Sequence, residues 1–296
     1  MTHALQEAIR RYTEAHADAA GIAPTPIKGM TLVRTTATGE LQYALQRPLI
    51  CLVAQGAKQV ATGGQSLTFG AGDSMLVTAD VPTVSQITRA SGAAPYLSFA
   101  LRLDPALVAD LSAQMQAVPL DSGSALRLQP TDAEVADTAL RLIHLVERPA
   151  SIPVLQAQLV REMHYWLLAG RHGPAIRRLG FPDGHARRIA RAVEVIRKDF
   201  AAPLRVEQLA AVAGMSLSAF HQHFRAVTSL PPLQFQKQLR LIEARRLMLA
   251  GSLRPSDAAY EVGYESVPQF TREYRRLFGL PPGRETAQAR RASQAA

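Results

Sequence analysis

Ser218, His221, Gln222 and Arg225 lie at positions that recur fifty residues later as Pro268, Thr271, Arg272 and Arg275. Each set is interleaved with aromatics four residues apart, Phe220 and Phe224 in the first, Phe270 and Tyr274 in the second. On a helix the aromatics would bury one face and leave the polar set on the other. That polar set has the chemistry of base-edge recognition. An amide such as Gln222 can grip adenine through two atoms, and a guanidinium such as Arg272 can do the same to guanine, each worth about 1–3 kcal/mol of discrimination. Ser218, His221, Pro268 and Thr271 flank these two on the same faces. Arg225 and Arg275 fall a turn later, where a phosphate or the groove edge is the expected contact. Arg187, Arg188, Lys237, Arg240, Arg245 and Arg246 are further candidates for phosphate contacts, with ion pairs to Glu243 or Glu261 as the alternative for Arg240 and Arg245.

Positioning two such faces requires two copies of one supersecondary unit. Alignment of LAAVAGMSLSAFHQHFRA (209–226) with AAYEVGYESVPQFTREYRR (258–276) supplies them. Ala210 meets Ala259 and Gly214 meets Gly263; one residue is then added, so that Ser216 meets Ser266. A small Ala for close helix approach, a Gly for a left-handed turn and a Ser cap make the pattern of a helix-turn-helix. The second helices should start near Leu217 and Val267. Residues 231–249 predict a joining helix roughly 28 Å long, suited to two helices entering successive major grooves roughly 34 Å apart.

Charge separates along the chain in the same sense. Of the net +9, residues 1–170 contribute 12 basic against 14 acidic side chains, and residues 185–296 contribute 18 against 9. The C-terminal part therefore has the electrostatic footprint of a polyanion binder. Before it, residues 30–103 break into short apolar runs separated by turn residues, an antiparallel sandwich or barrel. A short amphipathic helix carrying Leu5, Ala8, Ile9 and Tyr12 precedes them. Helices follow at 131–147, opened by a capping box of Thr131 and Glu134, and at 153–169. Their apolar stripes suggest packing on the barrel or self-association. The expected organisation is a two-domain α+β chain: a β-barrel or sandwich with flanking helices (1–169), a linker rich in Gly and Pro (170–184), and an all-α domain (185–296).

Other chemistries find little support. No histidine lies between positions 17 and 143, so the β-module lacks the imidazoles of a metal-dependent barrel enzyme, and neither metal nor cofactor is expected. The single cysteine, Cys51, has no histidine near it in sequence and only Arg47 as a basic neighbour. It lies in a run apolar at both parities, so it should be enclosed, either inside the barrel or under the helices. It is a packing residue or an effector-cavity residue open to electrophiles. No apolar run reaches the ~20 residues needed to span a bilayer, and a cytoplasmic location is expected.

Residues 185–284 resemble the AraC/XylS family of transcription regulators. The likeness rests on the paired units, the joining helix with Arg240, Ala244 and Leu247, the Val-Gly-Tyr turn at 262–264, the run from Phe270 to Arg275, and the Phe-Gly-Leu-Pro-Pro close at 278–282. Ser229 departs from the pattern, which usually has Gly there. Residues 20–165 resemble the cupin-like N-terminal sensory module of one subgroup, through RPLICLVAQGAKQV, FGAGDSMLVTADVPTVSQI and PYLSFALRLDPALVADL. The resemblance implies a double-stranded DNA binder whose barrel senses a small molecule and modulates DNA binding or recruitment of RNA polymerase. A purely structural or homodimerising barrel is the alternative, and a cupin-type enzyme fused to a DNA-binding domain a more distant one.

Overall fold

The structure, a computed structural model, describes residues 3–63, 65–115, 125–180 and 184–295. It divides between Arg187 and Arg188 into two compact units, each with its own apolar core. The first unit runs α1 (His3–His16), β1 (Ile22–Pro24), β2 (Met30–Thr35), β3 (Gln42–Gln46), β4 (Leu49–Gln55), β5 (Ala57–Thr62), β6 (Gln65–Gly70), β7 (Asp73–Val77), β8 (Val81–Arg89), β9 (Tyr96–Arg102), α2 (Pro105–Gln114), β10 (Leu126–Pro130), α3 (Ala133–Val146), α4 (Ile152–Ala169) and α5 (Gly173–Gly180). The strands form two antiparallel sheets, ordered β1-β2-β9-β4-β7-β10 and β3-β8-β5-β6.

The apolar run around Cys51 is explained by the larger sheet being covered on both faces. Ile50, Leu52, Leu97, Phe99 and Leu101 share a core with Leu5, Ala8, Ile9 and Tyr12 of α1 and with Leu142 and Ile143 of α3. Side chains alternate along a strand, so Cys51 and Val53 turn the other way, toward the smaller sheet. Cys51 is thus buried between the sheets rather than under the helices.

Two local expectations fail. The capping box of Thr131 and Glu134 does not form: α3 begins one residue later with Asp132 at its N-cap, and Thr131 Oγ1 is buried without a hydrogen-bond partner. The Asp132 carboxylate instead accepts from the main-chain N and Nε of Arg171, at 3.1 and 3.0 Å. The expected linker also contains structure. Gly173 and Pro174 open α5 rather than break the chain, because proline suits a helix's first turn. Ala175, Ile176 and Leu179 join the first core. Just ahead of them the buried His172 Nε2 meets Ser74 Oγ at 2.9 Å. Residues 181–183 of the expected linker lie outside the described residues.

The second unit is helical: α6 (His185–Lys198), α7 (Val206–Ala213), α8 (Leu217–Thr228), α9 (Pro232–Leu249), α10 (Pro255–Glu261), α11 (Val267–Phe278) and α12 (Pro282–Ala295). The joining helix α9 has 18 residues, or about 27 Å.

Candidate nucleic-acid interface

The pairs α7–α8 and α10–α11 repeat one another bond for bond. The glycines Gly214 and Gly263 turn with φ of 62° and 85°. The next residue folds back in both copies, Met215 N to Ala210 O and Tyr264 N to Ala259 O, each at 2.9 Å. Ser216 and Ser266 cap the second helices, their hydroxyls accepting from Ala219 N at 3.3 Å and Gln269 N at 3.4 Å. Helices α8 and α11 therefore begin at Leu217 and Val267, as the sequence predicts. Phe220 with Phe224, and Phe270 with Tyr274, each stand 5.4 Å apart between centroids and all four are buried. The copies even end alike. Ser229, at φ 65°, is the one non-glycine described residue with positive φ, and it takes the same left-handed exit as Gly279, its N–H bonding Arg225 O at 2.9 Å as Gly279 bonds Arg275 O. The serine departure leaves the turn geometry intact.

The inward aromatics leave the predicted face outward. Ser218, His221, Gln222, Arg225, Pro268, Arg272 and Arg275 are exposed, and Thr271 is half-buried. Among the described residues, none of Gln222, Arg225, Arg272 and Arg275 is held by an intramolecular partner. Arg276 adds a further exposed guanidinium on α11.

The remaining basic candidates are largely occupied. Lys237 Nζ pairs with Glu273 at 2.8 Å, and Glu273 also accepts from the Tyr264 hydroxyl at 2.8 Å. Arg246 pairs with Glu243 one turn back on α9, while Arg245 pairs with Glu285 at 2.7 Å rather than with Glu243 or Glu261. Arg188 Nε donates to Ala213 O at 2.6 Å, at the end of α7; Arg187 is exposed.

Arg240 does none of the things expected of it. Its Nε donates to Phe200 O at 2.7 Å, its Nη1 to Gly263 O, and its Nη2 to Ala201 O and Ala202 O, each of the last three at 2.9 Å. Gln236, one turn earlier, donates to Phe200 O and Ala202 O as well. These two side chains fasten the chain after α6 to the turn of the second copy. The approach is so close that a Cβ on Gly263 would lie 2.0 Å from Ala201 O. The only sequence signal of this clamp is the four-residue spacing of Gln236 and Arg240 on α9.

In the β-unit the basic group beside Cys51 proves to be Lys58 of β5, not Arg47. No group of three His, Cys, Asp or Glu side chains able to hold a metal occurs among the described residues. No helix of the described residues is long and apolar enough to cross a membrane.

Comparison with known proteins bears on the geometry. A family model for the AraC-type transcriptional regulator N-terminus matches residues 26–175, about half of the chain, and a helix-turn-helix domain model matches residues 209–288. The chain belongs to the AraC-type transcriptional regulators. Its relatives include the virulence regulon transcriptional activator VirF of Yersinia enterocolitica, 36% identical over 69 residues, which is 23% of this chain and 26% of VirF. The transcriptional activator RhaS of an Enterobacter species is 35% identical over 94 residues, 32% of this chain and 34% of RhaS. The matches thus span a quarter to a third of those relatives. Among solved structures, unsaturated fatty acid bound ToxT of Vibrio cholerae aligns with a TM-score of 0.56 over 87% of this regulator and 93% of ToxT. At 12% identity that likeness is one of fold.

Proposed function

We propose that this regulator binds duplex DNA through the outer faces of α8 and α11, and that a small molecule held by its β-unit modulates that binding or the recruitment of RNA polymerase. The observation that carries the DNA-binding half is the bond-for-bond duplication, which leaves Gln222 and Arg272 outward at equivalent faces with no intramolecular partner among the described residues. In this reading Gln222 takes adenine and Arg272 guanine. Ser218, His221, Pro268 and Thr271 shape the two contacts, and Arg225 and Arg275 meet phosphate or the groove edge. Lys237 and Arg246 would have to leave Glu273 and Glu243 to touch DNA, so their share is small; Arg240 has none. The effector half is supported by the family's N-terminal match and by the fold shared with ToxT, a protein solved with a fatty acid bound. The test is selection of DNA sequences by the purified chain, followed by the same selection with Arg272→Ala. Loss of preference at one base pair is the expected result; equal weakening on cognate and random DNA would move Arg272 to the backbone.

A second role of the β-unit, self-association, is favoured by the exposed apolar side chains Val154, Leu155 and Tyr165 on α4. Light scattering on the full chain decides it: a strict monomer at tens of micromolar would return α4 to purely intramolecular packing.

A further inference from the structure

Leu217 is the first residue of α8, directly after the capping Ser216, and it is 43% exposed. Among the described residues no other exposed large apolar side chain lies on α8 or α11. A single exposed leucine is ordinary on a protein surface; the place of this one is not. His221 and Arg225 follow it at four-residue steps, along one line of the helix. The second copy repeats that line as Val267, Thr271 and Arg275, again with a branched aliphatic residue at the first helical position. Val267 is half-buried and packs in part against the core of the second unit, so of the two it is Leu217 that keeps the larger open surface.

The fold does not account for the open part of Leu217. Phe220 and Phe224 fill the inner face of α8 and are fully buried, and the cap bond comes from the Ser216 hydroxyl. A recognition helix presents its N-terminal residues to the base edges, and side chains on a helix lean toward its N-terminus. Leu217 therefore projects at the end of α8 that meets the bases, beside Ser218 and one turn ahead of His221.

The major groove offers such a side chain one partner. Its other base-edge groups are hydrogen-bond donors and acceptors, and only the C5-methyl of thymine is apolar. Leucine set against a ring nitrogen, a carbonyl or an exocyclic amine would strip water from that group and return no bond, whereas against a methyl it removes apolar area from water on both sides. The rest of the face agrees. Arg225 is the one guanidinium on α8, against Arg272, Arg275 and Arg276 on α11, so the first copy has less charge to spend on guanine or phosphate. Gln222 is matched to adenine, whose pairing partner carries the methyl.

We propose that Leu217 is a specificity-determining residue that reads thymine, packing its side chain on the C5-methyl in the half-site entered by α8. The inference rests on the reading in which α8 and α11 enter the groove, and it gives the α8 half-site its composition: adenine under Gln222 and a thymine methyl under Leu217. Five residues along a helix span about 7.5 Å, so the two contacts fall within about three base pairs of each other at 3.4 Å per step.

The test uses the full chain and the duplex that it selects. The position at which Gln222→Ala relaxes base preference marks the α8 half-site. Each thymine within about three base pairs of it is then replaced by deoxyuridine, which lacks only the methyl. At one thymine the wild-type chain should bind about fourfold more weakly, the worth of one buried methyl. Leu217→Ala should bind the thymine and deoxyuridine duplexes equally, while Gln222→Ala keeps the difference. Cytosine placed at the same position, with and without a 5-methyl group, should repeat the difference in the wild-type chain and not in Leu217→Ala. If Leu217→Ala unfolds at a lower temperature than the wild type, Leu217→Asn, polar and of similar length, carries the comparison. No deoxyuridine effect in that half-site, or an effect that survives both substitutions, would overturn the thymine inference while leaving base reading by α8 in place. No preferred sequence for the wild-type chain, or no position that depends on Gln222, would overturn the inference together with the base-reading role of α8.

Discussion

Arg240 shows how a side chain's role depends on partners far away in sequence. Its position on a basic helix suggests phosphate, but its four hydrogen bonds end on main-chain carbonyls 23 to 40 residues distant. Arg240→Ala is expected to cost on the order of 2–3 kcal/mol of stability, since bonds from a charged donor are the stronger kind. Arg240→Lys should rescue little, because an ammonium lacks the planar fork. The salt dependence of DNA binding reads the competing role: the slope of log K against log salt should not change, whereas a phosphate contact would lower it by about 0.9. Ser229 offers the opposite sign. A side chain at φ 65° is strained by roughly 1–2 kcal/mol relative to glycine, so Ser229→Gly should stabilise the second unit by about 0.5–1 kcal/mol in chemical denaturation. A neutral or destabilising result would mean that the Ser229 side chain contributes contacts of its own.

At the level of elements, what could be read from the sequence was what is local. The cap serines, the turn glycines and the aromatic pairs Phe220–Phe224 and Phe270–Tyr274 act within one or two helical turns, so their spacing alone places α8 and α11. The antiparallel sheets were legible for the same reason, from short apolar runs and turn residues. The failures are long-range or competitive. Asp132 is as good a capping type as Thr131 and stands one residue later, with Arg171 to bind it; Gly173 and Pro174 punctuate a helix start as readily as a linker. Lys58 was invisible beside Cys51 because the chain changes sheets between them. Gly263 tests how tightly the elements are joined. Gly263→Ala would set a methyl carbon 2.0 Å from Ala201 O on a backbone of positive φ, and should cost at least about 2 kcal/mol. Gly279→Ala, with nothing within 4 Å of its Cβ, should cost only the conformational part. Equal losses, compared by thermal unfolding, would show that the chain after α6 yields easily.

Across the whole molecule, the response to acid should be governed by His172. Burial lowers its pKa to about 4, well below the ordinary ~6.5 of an unfolded chain. Between those values the unfolded state takes a proton that the folded state refuses, so stability present above pH 6.5 is lost as the pH falls toward 4, by on the order of 3 kcal/mol. His164, also lowered by burial, adds in the same direction. His172→Gln should flatten the fall in melting temperature across that window; an unchanged profile would assign acid sensitivity elsewhere.

The Arg240 clamp has a consequence for orientation. In the proposed DNA-binding reading, it helps to hold two unlike faces, His221 with Gln222 and Arg272 with Arg275, in a single frame. Such a frame has a head and a tail. A DNA site fitted to it must be a vector rather than a palindrome, so that inverting only one half of the site should abolish binding, while inverting the whole should preserve affinity and turn the bound regulator to face the opposite direction along the duplex.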